Sequence, residues 1–500
     1  MRSEEAILDE IREAEEVERR TVRGAAGIGL TQLGTGLLEM VKMIVLARLL
    51  SPRDFGLVAL CYLLIEALRL FSNVGTGAAL IYQRERVDRV ADVAFWLNVA
   101  VGMGLFLIAL GLAPIFVWVY QEPAILGMIY VLAFTLLVQA VGMTHHHLLE
   151  KRLAFGTKAL AILVPHALAT AAAIWLAFLQ AGAWSIIWSQ LLNRVLGVLV
   201  VWAVFPWRPH WRFDRETAQQ VVAYGKHVLG ARLAIYLVSN VDYALVGRAL
   251  GAHLLGLYHF GYERAGLIYK YIIRDLADVF FPAFSLVREE REKLQAGYLK
   301  TLQVLGAVAL PTSVGMLLLA REFVVVIFGD KWLPAVPVLQ VLLLWSITRS
   351  LCVNVGSLSY ALGRPDVPFK VYTLKFVCLV PALVVTVPQG IFAVAVTVTV
   401  VQLTTDLGLM VFTHRLLGLS NRAVLRALGP AFLGTAVMTA VLLPGRVWQD
   451  TTEALPQVAF FLGALIAGTL VYAGLLFGLS SEMRNLARTI GKALRGERSV

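Results

Sequence analysis

Fourteen apolar runs, each long enough to cross a bilayer, fall between residues 24 and 479 of this 500-residue chain. A transmembrane helix needs about 20 mainly apolar residues, and no soluble core could hold so many of them. Strands of a membrane barrel would be short and alternating, and these runs are neither. The chain carries 15% charged residues, well below the roughly 25% of a soluble domain. The sequence therefore predicts an all-α polytopic membrane protein.

The connectors fix the direction of the runs. Alternate connectors, together with both termini, hold 29 Lys and Arg, and the connectors between them hold 6. Such a bias marks the cytoplasmic side. Both termini are expected there, in a bacterial cytoplasmic (inner) membrane. The net charge of +11 is thereby a topology signal, and nucleic acid is not needed to explain it. Residues 1–23, rich in Glu, lack the basic start and short apolar core of a signal peptide and read as a cytoplasmic arm. Residues 480–500 read as a basic cytoplasmic tail.

Several chemistries find no support. No connector between runs exceeds about twenty-five residues, so a sizeable extramembrane catalytic domain has no place and no enzyme activity is expected. Cys61, Cys352 and Cys378 sit in apolar runs as core filler. His145, His146 and His147 project about 100° apart on a helix and cannot converge on one metal ion. No cofactor is implied.

An internal repeat organises the rest. The stretch ARLLSPRDFGL at 47–57 returns as GRALGAHLLGL at 247–257, with Arg48/Arg248, Leu50/Leu250, Gly56/Gly256 and Leu57/Leu257 in register. Each copy joins the first and second helix of a six-helix half. The expected architecture is two pseudo-symmetric lobes, 24–206 and 222–413, joined by a cytoplasmic linker at 207–221. Two further helices follow in 424–479. Lobes of this kind enclose a cavity and rock to give alternating access.

Several stretches carry a family resemblance: ARLLSPRDFGLVAL at 47–60, NVGTGAALIYQRE at 73–85, LGLYHFGYERAG at 255–266, FPAFSLVREEREK at 281–293, FGDKWLPAVPVLQVL at 328–342 and ALGRPDVPFKVYTLK at 361–375. Across about 20–480 the chain resembles the polysaccharide transporter (Wzx-type) branch of the multidrug/oligosaccharidyl-lipid/polysaccharide (MOP) flippase superfamily, and so a MATE/MOP-like fold. The resemblance implies a flippase that moves undecaprenyl-pyrophosphate-linked oligosaccharide to the outer leaflet for surface polysaccharide, with no covalent chemistry of its own. A polysaccharide polymerase is a partner consistent with that role, beside the membrane lipids.

Charges inside spans are costly and mark cavities or pairs. Lys42, Arg69, Arg264, Lys270 and Arg349 are candidates to hold the pyrophosphate, by charge-assisted hydrogen bonds. Glu39, Glu66, Asp242 and Glu263 are candidates to line the cavity or couple H+ or Na+. Asn73, Asn240, Tyr243 and Tyr269 are candidates for sugar contacts. The i,i+3 spacing of Glu39/Lys42 and Glu66/Arg69 also allows each pair simply to neutralise itself. Arg194, near a helix end, reads as topology or packing. Two other functions stay open on the residues alone: an ion-coupled exporter of small amphiphiles, and a membrane glycan polymerase or ligase, which the short outer connectors disfavour.

Overall fold

The structure, a computed structural model, describes residues 27–484 except 28, 30, 73–75, 78–79, 81–86, 152–154, 212–213, 275–279, 281–283, 365, 453–454 and 480–483. The described elements are helices throughout. Hydrocarbon offers backbone groups no hydrogen bonds, and a helix satisfies its own. Among the described residues, twelve helices are long and apolar enough to span a membrane. Fourteen runs reduce to twelve for two reasons. The first run is described mainly over 31–49. The seventh and eighth runs form one long helix that bends at Gly251, where φ is 79°. That backbone suits a residue without Cβ, so the bend costs little there.

By contacts the chain falls into two compact units, Met1–Gly256 and Leu257–Val500. The first contains α1 (31–49), α2 (Pro52–Ser72), α3 (Val87–Tyr120), α4 (Ile125–Lys151), α5 (Phe155–Phe178), α6 (Ala183–Val204) and most of α7 (Arg215–Ala265). Here α4 packs on α2, α3 and α6, and α5 packs on α6. Three connectors that the basic-residue alternation assigns to one face meet at one end. Arg53 pairs with Glu122 at 2.9 Å, and Asp54 accepts the Ala183 N–H at 3.0 Å. At the other end, Lys151 donates to Leu80 O at 2.7 Å and the His210 N–H donates to buried Asp92 at 2.9 Å.

The two copies of the sequence repeat pack against each other inside this unit. A Cβ on Gly56 would overlap the carbonyl of Ala252, and one on Gly256 would overlap the carbonyl of Pro52. Pro52 and Ala252 stand in the same 200-residue register as the glycines. The crossing is thus symmetric, backbone against backbone, and only glycine permits it.

The second unit contains a π-turn (Tyr269–Ile273), α8 (Arg291–Leu318), α9 (Ala320–Phe328), a 3₁₀ turn (Asp330–Ala335), α10 (Val336–Ala361), α11 (Asp366–Thr386), α12 (Ile391–Leu417), α13 (Asn421–Thr452) and α14 (Gln457–Leu479). Tyr298, Leu302 and Leu305 of α8 pack on Leu351, Val355 and Leu358 of α10. Tyr472 of α14 donates its hydroxyl to Ala307 O at 2.7 Å, fastening the last helix to α8.

Two of the family-like stretches meet in this unit. Phe260 stacks on Trp332 with ring centroids 4.2 Å apart and meets Phe328 edge-on. All three rings are buried, so the FGDKWLP stretch serves as the aromatic seat of the LGLYHFGYERAG helix.

The glycine crossing yields a prediction. Gly56→Ala and Gly256→Ala should each lower the thermal midpoint of the purified protein. The opposing atoms are backbone, and overpacking costs about 1–3 kcal/mol. Gly104→Ala, where a Cβ meets nothing within 4 Å, should leave the midpoint unchanged or raise it.

Candidate functional site

In the first unit the intramembrane charges treat one another first. Lys42 donates to Glu39 at 2.6 Å, and His166 Nε2 of α5 lies 3.2 Å from the same carboxylate oxygen. Arg69 pairs with Glu66 through Nη1. Both i,i+3 pairs therefore form on their own helix faces. Arg69 keeps donors in reserve beyond its pair: its Nε and Nη2 are buried without a hydrogen-bond partner.

Beside these pairs lies a cavity of about 300 Å³ among α4, α5 and α6, lined by Gln139, His146, His147, His166, Asn193 and Arg194. Three of its polar atoms are buried and unpartnered: Gln139 Oε1, His147 Nε2 and Arg194 Nε. Native proteins rarely leave such groups unsatisfied. Arg194 also lies within electrostatic range of Arg69 and Glu66. Glu150 is already taken, by Lys158 at 2.7 Å and by His147 Nδ1 at 3.5 Å. What remains unengaged around the cavity is a guanidinium N–H of Arg194, an amide oxygen of Gln139 and an imidazole nitrogen of His147. This mixed donor and acceptor set suits a hydroxyl-rich ligand, while the Arg194 and Arg69 guanidinium groups suit an anion.

The sequence reading missed this cavity. Arg194 reads from sequence as topology or packing near a helix end, but it stands at the middle of α6, and three consecutive histidines read only as an excluded metal cluster. They do diverge: His145 turns away, with Nε2 3.1 Å from Trp207 O and its ring 4.5 Å from that of Trp202. His146 and His147 face the cavity. Periodicity alone could have put His146, His147 and Gln139 near one face of α4, but nothing in the sequence brings α5 and α6 to it.

The remaining candidates are spread over both units. In the first, Asp242 is buried and its Oδ1 accepts the Tyr243 N–H at 2.9 Å. The Asn240 amide donates to Tyr236 O one turn back, which withdraws that donor from a sugar. Asn73 lies outside the described residues. In the second, Arg264 is 5% exposed with its guanidinium 4.7 Å over Phe260. Arg349 lies 4.1 Å over Tyr269 and 4.9 Å from the Trp345 ring, so Tyr269 presents its face to a cation. Lys270 is exposed on the π-turn, 5.4 Å over Tyr271, and Glu263 is half-buried. Arg264 and Arg349 are thus stacked on aromatic rings.

Residues 45–337 match the sequence profile of a family described as Polysaccharide biosynthesis protein. The chain belongs to that family. Among similar members of the polysaccharide biosynthesis proteins is the teichuronic acid biosynthesis protein TuaB of Bacillus subtilis, 26% identical over 71% of this chain and 74% of its own length. The lipopolysaccharide biosynthesis protein WzxC of Escherichia coli is 26% identical over 74% and 75%. The fold is similar to that of a solved structure of the lipid II flippase MurJ in an inward closed conformation, with a TM-score of 0.71 over 91% of this chain and 98% of that one, at 11% identity. This polysaccharide biosynthesis family member is accordingly a multi-pass membrane protein with a MurJ-like fold.

One charge pair stands apart from the cavity. Lys375 of α11 donates to Asp406 of α12 at 2.5 Å, with side chains only 9% and 5% exposed. Cutting one partner of such a buried pair costs about 3–5 kcal/mol, whereas replacing both with apolar residues can be neutral. Lys375→Met alone should therefore lower stability sharply in a denaturation series. The double change Lys375→Met with Asp406→Leu should recover most of the loss.

Proposed function

We propose that this chain is a flippase that carries an undecaprenyl-pyrophosphate-linked oligosaccharide from the cytoplasmic to the outer leaflet, for O-antigen, capsule or exopolysaccharide. Membership of the polysaccharide biosynthesis family supports the pathway, and the MurJ-like fold supports transport. The observation that carries the site is the polar cavity of the first unit, with an unpartnered donor on Arg194 and spare donors on nearby Arg69. The pyrophosphate is the one part of such a substrate that brings concentrated negative charge. Arg guanidinium groups meet phosphate oxygens in planar, bidentate fashion. The engaged Lys42 is a weaker candidate than Arg69, and Arg264 and Arg349 enter as cations seated on aromatic rings.

In this reading the segments 24–206 and 222–413 act as lobes that rock, with both termini in the cytoplasm and the helices of 424–479 appended. In the same reading an ion gradient or the membrane potential is the proposed driving force. Glu39, Glu66, Asp242 and Glu263 are the acids to carry H+ or Na+. A polymerase would receive the flipped glycan.

Flipping of a labelled undecaprenyl-pyrophosphate oligosaccharide in proteoliposomes tests the transport reading. Arg194→Gln and Arg69→Gln should each slow it by about tenfold or more, since a hydrogen bond to a charged group is worth about 1.5–3 kcal/mol. A folded parent protein that moves no glycan but exports cationic dyes would replace this reading with the amphiphile exporter.

A second measurement concerns coupling. Moving one charge through the membrane is worth about 2.3 kcal/mol per 100 mV. Neutralising the coupling acid, as in Glu39→Gln or Asp242→Asn, should make the rate independent of potential or of the ion gradient. Dependence kept in all four single variants would remove these acids from that role.

A further inference from the structure

A second polar pocket, of about 240 Å³, lies in the second unit where the start of α9 meets the connection between α13 and α14. Its wall includes Arg321, Glu322, Gln449, Gln457 and Phe460. Glu322 is 5% exposed, and its Oε2 has no hydrogen-bond partner. Its place in the first turn of α9 explains why a charge is tolerated, because a helix N-terminus favours anions. It does not explain why an acceptor is left without a donor, a state that costs the full desolvation of the group.

Hydrogen bonds within the chain brace the pocket wall. Gln449, itself buried, donates from Nε2 to Leu455 O at 2.6 Å and accepts the Leu455 N–H at Oε1 at 3.1 Å. That two-point clamp fixes the wall opposite Glu322. Arg446 adds a bond from Nη1 to Leu318 O, tying α13 to the turn before α9. A preorganised wall of this kind lowers the entropic cost of binding.

The residues select the class of ligand by elimination. A small anion would face the Glu322 carboxylate. Among the described residues, a metal cation would find one carboxylate, an amide oxygen already spent on Leu455 and the positive charge of Arg321. A neutral ligand whose groups both donate and accept suits an open carboxylate oxygen, the Gln457 amide and Arg321 together. The buried ring of Phe460 gives such a ligand an apolar surface to lie against. Hydroxyls on a pyranose ring have this character. The volume is below the range of about 300–1,000 Å³ typical of drug-sized ligands, which limits the site to about one sugar ring.

Position agrees with the chemistry. The connectors bearing Arg321 and Arg446 are both among those poor in Lys and Arg, the ones expected on the outer face, and the structure joins them in one pocket. We propose that this pocket is an outer-face saccharide subsite that holds one sugar of the translocated glycan. That source for the sugar rests on the flippase reading.

The test is saturation-transfer NMR on the purified full-length protein with a panel of free sugars: hexoses, N-acetylhexosamines and deoxyhexoses. At least one sugar should bind, with affinity lowered fivefold or more by Glu322→Gln and by Gln457→Ala. Gln457 is exposed, so its variant keeps the fold even if the Glu322 variant does not. No binding by the parent, binding unchanged in both variants, or a signal displaced by phosphoethanolamine rather than by sugars would each overturn the proposal. Flipping in proteoliposomes without sugar binding would overturn the pocket alone. Sugar binding through Glu322 by a chain that flips nothing would keep the pocket and discard the transport reading.

Discussion

The governing constraint is that hydrocarbon accepts no hydrogen bonds. Each backbone amide in the bilayer must be satisfied within its own segment, which forces helices. The same rule reaches the small polar side chains. Thr397 of α12 donates to Ala393 O one turn back, and Ser350 of α10 donates to Ser346 O, so neither presents a bare hydroxyl to lipid. Without a hydrophobic drive between helices, contact depends on close approach. The mutual overlap of Gly56 with Ala252 and of Gly256 with Pro52 shows how far that approach is taken.

Charged groups are handled in three ways, and the distinction separates scaffold from site. Some neutralise each other, as in Glu39 with Lys42. Some lie on aromatic faces, as with Arg264 over Phe260 and Arg349 over Tyr269. A third group keeps donors buried and unspent, on Arg69 and Arg194. These two guanidinium groups retain hydrogen-bonding capacity beside the cavity for something that is not already part of the protein.

The all-helical, membrane-spanning fold was legible in the sequence because span length is a local property. The repeat was legible too, since Gly56 and Gly256 keep a fixed offset. The bend at Gly251 was not: a glycine inside an apolar run reads equally as packing or as a break, and only its φ of 79° decides. Pairing of Glu66 with Arg69 followed from i,i+3 spacing. The cavity did not follow, because it draws His147, His166 and Arg194 from three helices whose mutual rotation no periodicity fixes. Glu322 was passed over for a related reason. It stands in a short connector beside Arg321, where a charge looks solvated, and its burial depends on α13 and α14 from more than a hundred residues later.

The Lys375–Asp406 pair has a consequence for how the chain enters the membrane. A Lys or Asp at the centre of a lone helix adds about 2.5–3.5 kcal/mol to insertion. Neither α11 nor α12 escapes that cost by itself. They are joined only by the short turn Val387–Gln389 and Gly390, so the partner residue is synthesised 31 positions later. Once both helices are out of the ribosome, each cancels the other's charge. During biogenesis, therefore, the natural unit of partitioning is the α11–α12 hairpin, with Lys375 waiting at the translocon for Asp406 to arrive.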